Sequence, residues 1–289
     1  MARISWHPRG RFVDVDGRRA HVVDAGQGPP VLLLHGFLHS SFTWRTTIDA
    51  LAPRHRVIAP DLFGCGWSDR GPGDYSLDGL ARWVEGVLAA LDVGPLHAAV
   101  GNSLGGALAL DLALRAPARL GRLVLVSPLG ARLPVPALPF RLLGLPAFEP
   151  LFRLTAGNAG FVRRALGLVA YRRRAVDAEV LHGFTPLARP GSLLTATAMA
   201  AALGAASASI EARLPGLAAP ALLVWGRHDG VLPLAYGQRV AGLLPAARLE
   251  VFDDCGHCAH EEDPARFHAL VDAFLAPPAD EAEVVRRAA

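Results

Sequence analysis

Two spacings of apolar residues alternate along this chain. Short runs are apolar at every position, and longer stretches carry apolar residues every three or four positions. Val31–Leu34, Leu123–Val126 and Ala221–Trp225 are runs of the first kind, and Leu96–Val100 is interrupted only by His97. A strand is apolar throughout when both faces of its sheet are covered. Val57–Ala59, ending at Pro60-Asp61, and Arg248–Phe252 predict two further strands. Arg11–Val15 and Arg19–Asp24 flank Asp16-Gly17, a turn pair that closes a hairpin. Helical spacing covers the regions near Thr43–Ala52, Ser76–Leu91, Leu104–Arg115, Pro233–Leu244 and Pro264–Leu275. Ser76 or Asp78 is placed to cap the second of these helices. This alternation predicts an α/β protein, a mostly parallel twisted sheet with helices on both faces.

The alternation breaks between Pro128 and Leu214. Prolines 134, 136, 139, 146 and 150 come first, followed by Ala-rich helical sequence with no strand pattern. The predicted organisation is therefore a core of residues 1–130 and 214–277, an inserted helical cap of residues 131–213, and a flexible tail of residues 278–289. The cap lies over the C-terminal edge of the sheet, where open parallel sheets bind ligands. Phe140, Phe148, Phe152 and Phe161, with Leu142 and Leu143, give the cap more apolar surface than its short helices need. The four phenylalanines are the candidate substrate-binding residues. Gly191–Ile210 is uncharged and long enough to span a bilayer, but Ala, Ser and Thr dominate it. Insertion is driven by Leu, Ile, Phe and Val, so this segment reads as a close-packed internal helix.

The candidate chemistry begins at Gly101-Asn102-Ser103-Leu104-Gly105, between a strand pattern and a helix pattern. Glycines on both sides of a serine let the backbone turn sharply and hold the hydroxyl clear of the sheet. Ser103 is also placed to be an ordinary helix cap, and the rest of the set argues otherwise. His257 falls in the loop after the Arg248–Phe252 run, and Asp229 in the loop after Ala221–Trp225. Parallel strands bring these loops to one edge, in the order Ser, Asp, His of a nucleophile-elbow triad. The preceding strand ends in Ser127-Pro128 and offers no competing carboxylate. Asp253 and Asp254 are the rivals to Asp229. His35 reads as a loop-holding histidine, and Glu261 and Glu262 as the start of the last helix.

Composition removes other chemistries. All 29 basic residues are arginine, so a Schiff-base lysine, a pyridoxal-phosphate anchor and a phosphate-loop lysine are excluded. The net charge of +3 is mild and the arginines are scattered, Arg172-Arg173-Arg174 being the longest run. No nucleic-acid partner is expected. Met1–Arg11 lacks the apolar stretch of a secretory signal, so the expectation is a cytoplasmic protein without stable membrane insertion. Oligomeric state is left open. Cys255-Gly256-His257-Cys258 has redox-motif spacing, and His260 makes it resemble half a metal site. Its place near the end of a large domain, with Cys65 as the one remaining cysteine, argues against both readings. Neither a metal site nor a cofactor is expected.

The chain resembles the α/β-hydrolase superfamily in its capped, serine-hydrolase branch, over nearly its whole length. The matching motifs are His35-Gly36-Phe37, Asp61 to Ser68, the Ser103 elbow, Gly226-Arg227-His228-Asp229 and Gly256-His257. The resemblance implies an α/β-hydrolase fold and an oxyanion hole made by the amides of Phe37 and Leu104. It also implies a structural role for the Asp61–Ser68 loop beside the site. A serine nucleophile argues against dehalogenase and epoxide hydrolase activity, whose enzymes carry aspartate. The first expectation is hydrolysis of an ester or lactone of a small-to-medium apolar substrate. The second is carbon–carbon bond hydrolysis, because the elbow is similar to that of meta-cleavage-product hydrolases. Those enzymes usually have Gly-Pro-Gly where Phe37-Leu38-His39 stands, and Trp where Cys258 stands. Cofactor-free perhydrolysis and non-catalytic ligand binding on the same scaffold complete the alternatives.

Overall fold

The structure is a computed structural model that describes residues 9–132, 146–167, 170–171 and 176–276. Strands β1 (Gly10–Val15), β2 (Arg18–Ala25), β3 (Pro30–Leu34), β4 (Arg56–Pro60), β5 (Leu96–Asn102), β6 (Leu120–Val126), β7 (Ala221–Gly226) and β8 (Ala247–Phe252) form one sheet. Its order is β1-β2-β4-β3-β5-β6-β7-β8. The β1–β2 and β2–β4 pairs are antiparallel, and the pairs from β4 onward are parallel. Helices α1 (Arg45–Leu51), α2 (Leu77–Ala90) and α3 (Leu104–Arg115) lie among the first six strands. Between β6 and β7 come α4 (Glu149–Ala156), α5 (Ala159–Leu166), α6 (Ala178–Gly183) and α7 (Ser192–Glu211). Helices α8 (Leu234–Leu243), α9 (Ala259–Glu262) and α10 (Pro264–Leu275) complete the fold.

The apolar runs are explained by two cores, one on each face of the sheet. In β3, Leu32 and Leu34 enter the core beneath α2 and α3, while Val31 and Leu33 enter the core beneath α1 and α10. Strands β6 and β7 divide the same way, Leu123, Leu125 and Leu223 against Val124, Val126 and Leu222. Successive side chains alternate faces, so a strand with no solvated face has no place for a polar residue.

Helix boundaries are set by local chemistry. Ser76 caps α2 by accepting the Gly79 N–H (3.2 Å). The helix expected near Thr43–Ala52 is a 3-10 turn at Ser41–Trp44 followed by α1. The first turn is tied to the loop after β4 by a bond from Ser41 N–H to the Asp61 carboxylate (2.6 Å). The sequence reading of Glu261 and Glu262 as the start of the last helix is corrected here. They end the separate one-turn α9, and α10 begins at Pro264 with Asp263 as its cap. A residue preceding proline is disfavoured in helical conformation, and Asp263 takes an extended φ of −139°.

No strand falls among the described residues between β6 and β7. Helix α7 is long and apolar enough to cross a membrane by length and composition, yet half of it is buried inside the protein. Met199, Ala206 and Ile210 join the core beneath α2 and α3. Its other buried positions are mostly Ala, Ser and Thr, small enough for close packing. Asp111 of α3, fully buried, pairs with Arg115 (2.5 Å) and with Arg213 just after α7 (2.6 Å). Phe140, Leu142, Leu143, the arginine triplet and the 278–289 tail lie outside the described residues.

Candidate active site

Strand β5 ends at Asn102 and α3 begins at Leu104, so one residue makes the turn. That residue is Ser103, at φ 53° and ψ −113°. A non-glycine residue in the left-handed φ range costs about 1–3 kcal/mol and persists only where its surroundings hold it. Here they do. Ser103 N–H donates to Val126 O (3.0 Å), and its carbonyl accepts from Ala107 N–H (3.1 Å) and Leu129 N–H (3.0 Å). The glycines on either side have a steric reason. A Cβ at 101 would stand 2.3 Å from Gly105 O, and a Cβ at 105 would stand 2.0 Å from Leu34 O.

The loops after β7 and β8 are joined side by side. Arg227 N–H donates to Phe252 O (2.9 Å) and His228 N–H to Cys255 O (3.0 Å). Asp229 and His257, both buried, meet across this seam, with His257 Nδ1 2.8 Å from Asp229 Oδ2. Asp229 Oδ1 accepts the N–H groups of Val231 and Leu232, each at 2.8 Å. An ionised carboxylate only accepts, so Nδ1 carries the proton and Nε2 presents a lone pair. Glu262 braces the histidine loop, accepting from Gly256 N–H (3.0 Å) and Cys258 N–H (3.3 Å). Asn102 Nδ2 ties that loop to the elbow through His257 O (3.3 Å). The rival Asp253 is exposed and pairs with Arg227 (2.6 Å).

Leu104 is the first residue of α3, so its N–H has no intrahelical acceptor. Among the described residues, neither this amide nor that of Phe37 donates to another backbone group. The positive end of α3 reinforces the Leu104 amide. His35 is fully buried, with Nδ1 2.8 Å from Gly36 O and Nε2 accepting from Leu62 N–H (3.0 Å). Burial lowers its pKa, and both ring nitrogens are used in holding the loop. Asp61 is also fully buried. Desolvation would raise its pKa, but His21, His35 and the Trp67 amide hold it down at about 2.

Ser103 and His257 open onto a cavity of about 430 Å³, within the range of small-molecule sites. Phe152 of α4 and Phe161 of α5 line it on the side of the helices between β6 and β7, with Val162, Val180 and Phe184. Phe148 does not line it, which corrects the sequence expectation. It is 42% exposed and ends the 3-10 turn that leads into α4, one turn before Phe152. Phe140 lies outside the described residues. Polar groups on the wall include His39, Cys258 and Glu261. The sequence reading did not assign His39 or Glu261 to the site.

Cys255, Cys258 and Cys65 are thiols rather than disulfides, and burial pushes the Cys65 pKa up to about 12. Among the described residues no three His, Cys, Asp or Glu side chains are grouped to hold a metal. His260 Nε2 instead meets Thr43 Oγ1 at 2.8 Å.

A family model described as alpha/beta hydrolase fold matches residues 29–264. The chain belongs to the α/β-hydrolase family. It is 35% identical to a 2-hydroxymuconate semialdehyde hydrolase of Pseudomonas sp. strain CF600, over 92% of this chain and 94% of the relative. It is 33% identical to a 2-hydroxy-6-oxo-6-phenylhexa-2,4-dienoate hydrolase of Burkholderia cepacia, over 96% and 99% of the two chains. Among solved structures, a meta-cleavage product hydrolase of Pseudomonas fluorescens IP01 with acetates bound superposes with a TM-score of 0.78. That match is at 32% identity and covers 92% of this chain and 97% of the other. This α/β-hydrolase is an enzyme, and its fold is the one that the sequence motifs implied.

Proposed function

We propose that this hydrolase cleaves carboxylic esters or lactones of apolar acids through an acyl-enzyme. Ser103 is the nucleophile, His257 the base, and Asp229 the carboxylate that orients it. The observation carrying this reading is the cavity onto which Ser103 and His257 open. Its cap wall is chiefly apolar, and no arginine among the described residues lines it. A neutral acyl chain matches such a wall, whereas a buried anion needs a counter-charge.

The steps follow from the groups in place. His257 Nε2 takes the hydroxyl proton as Ser103 Oγ bonds to the carbonyl carbon. The carbonyl oxygen becomes an oxyanion held by the N–H groups of Phe37 and Leu104, each donor worth about 3–4 kcal/mol. The tetrahedral intermediate collapses, and the leaving alkoxide receives the proton from His257. Water, deprotonated by His257, then attacks the acyl carbon, releasing the acid and restoring the Ser103 hydroxyl. Asp229 stabilises the imidazolium at each stage.

Carbon–carbon bond hydrolysis is the second reading, favoured by the relatives named for semialdehyde and dienoate substrates. Two assays separate the readings, with p-nitrophenyl butanoate and with 2-hydroxy-6-oxo-6-phenylhexa-2,4-dienoate. The ester is expected to show the higher kcat/KM by at least about tenfold, 1.4 kcal/mol in transition-state binding. A preference of that size for the dienoate would replace the first reading with the second. A fluorophosphonate should label the parent protein and not Ser103→Ala. A parent protein that neither labels nor turns over either substrate would overturn both readings.

A further inference from the structure

His39 and Glu261 face one another on the cavity wall without touching. Neither belongs to the proposed triad or oxyanion hole. His39 Nδ1 accepts the Ser40 N–H (2.9 Å), so the ring proton sits on Nε2. The ring is further fixed against Phe184, with centroids 4.4 Å apart. Its side chain is 9% exposed, and Nε2 is buried with no hydrogen-bond partner. Burial, with His35 and Arg45 nearby, lowers the His39 pKa to about 3, so the ring is neutral at pH 7. The nearest oxygen of Glu261 is 3.9 Å away, beyond hydrogen-bond length. Glu261 is equally buried, and the oxygen that faces His39 also accepts from Arg45 Nη1 (3.1 Å). Both residues line the same cavity as Ser103 and His257.

An orphaned donor in a buried site costs about 1–3 kcal/mol unless something satisfies it. The complement to an N–H donor and a carboxylate acceptor 3.9 Å apart is a group that both accepts and donates. A hydroxyl does this with one oxygen, at about 2.8 Å from each partner. A carboxylate in that position would meet Glu261 charge to charge, and an alkyl chain would leave Nε2–H unmet.

We propose that His39 and Glu261 form a hydroxyl-binding subsite, selecting substrates whose otherwise apolar acyl portion carries an alcohol. This deepens the ester-hydrolase reading and rests on it. The subsite gives the apolar cavity a single point of polar specificity. A site built to hydrogen-bond a hydroxyl discriminates against the analogue lacking it far more strongly than an apolar wall discriminates by a methylene.

The test is a binding measurement on Ser103→Ala, so that it does not depend on turnover. Dissociation constants are measured for methyl hexanoate and for its 2-, 3- and 6-hydroxy derivatives. At least one hydroxy ester should bind about tenfold more tightly than the parent ester, although the hydroxyl makes it less hydrophobic. That advantage should vanish in Ser103→Ala/His39→Phe, and Glu261→Gln, whose amide can still meet a hydroxyl, should keep part of it. General damage to the pocket weakens all four ligands together and leaves their ratios intact. Equal or weaker binding of every hydroxy ester, or an advantage that survives His39→Phe, overturns the subsite. Failure of the parent enzyme to hydrolyse any ester overturns the ester reading instead, independently of these ratios.

Discussion

His257 Nδ1 lies 2.8 Å from one oxygen of Asp229, while the other oxygen accepts two backbone N–H groups. All the hydrogen bonds that reach this carboxylate are donated to it, which makes its replacement by an amide informative. In Asp229→Asn the amide oxygen would stay with the Val231 and Leu232 donors and turn NH2 toward the ring. Nδ1 would then have to accept, leaving the proton on Nε2, where it cannot take one from Ser103. We expect kcat to fall by roughly 10⁴, the effect of a wrong tautomer in a triad. Asp253→Asn, altering an exposed partner of Arg227, should leave kcat close to the parent value. Steady-state ester hydrolysis by both variants checks this, and a larger loss from Asp253→Asn would move the carboxylate role.

The elbow predicts a stability difference between glycines. A methyl group at Gly105 would meet Leu34 O, a backbone atom, at 2.0 Å, whereas one at Gly216 would meet nothing within 4 Å. Gly105→Ala should lose about 1–3 kcal/mol or more, as overpacked positions do. Gly216→Ala should be near neutral. Urea unfolding midpoints decide it, and equal midpoints for the two variants would show that the elbow tolerates a side chain.

Much of this was legible in the chain because local pattern and tertiary role coincide. Strands such as β3 and β7 are apolar throughout because each face meets its own core, and Ser103 is flanked by glycines because Cβ atoms there would strike backbone. Glu261, Glu262 and His39 were not legible, since their roles depend on partners far along the chain or on a cavity. Glu261 reads locally as a helix-start carboxylate and is instead held by Arg45, 216 residues away in sequence. Phe148 and Phe152 share a helical spacing, yet Phe148 stands at the entry to α4, 42% exposed and off the cavity wall, which only the placement of the helix decides.

Acid should weaken the fold through Asp61. Its folded pKa of about 2 is depressed from an ordinary value of 3.8. A carboxylate with a depressed folded pKa contributes stability above its unfolded pKa and loses it as pH falls toward the folded value. Between pH 5 and pH 2 the parent should lose on the order of 2 kcal/mol more than Asp61→Asn, whatever the variant's stability at neutral pH. Denaturant titrations at stepped pH measure this. Identical slopes in the two proteins would assign the acid sensitivity to other carboxylates.

The cysteines beside His257 should be dispensable for catalysis. Burial, reinforced by Glu261, Glu262 and Asp229, raises the Cys258 pKa well above the usual thiol value, so little thiolate exists at neutral pH to act as nucleophile or ligand. Cys255→Ser/Cys258→Ser should retain most ester hydrolysis, and EDTA should not inhibit the parent. A dead double variant that still folds, or activity that returns only with zinc, would bring redox or metal chemistry to the front.

Acyl-chain preference should follow the phenylalanines of α4 and α5 that reach the cavity. Phe152 and Phe161 line it, and Phe161 is 53% exposed on its outer side, so Phe152 presents the more enclosed surface. Phe152→Ala enlarges the acyl pocket and should shift kcat/KM toward longer p-nitrophenyl esters. Each methylene newly accommodated is worth about 1–3 kcal/mol at most, enough to move the octanoate-to-butanoate ratio about tenfold or more. Phe161→Ala should shift the ratio in the same direction by less. Phe148→Ala, outside the cavity, should leave the ratio where it is. The three variants are assayed over butanoate, hexanoate and octanoate esters. If Phe148→Ala changes the ratio as much as Phe152→Ala does, the helices between β6 and β7 act on selectivity through their overall packing, and these walls do not set the length of chain admitted.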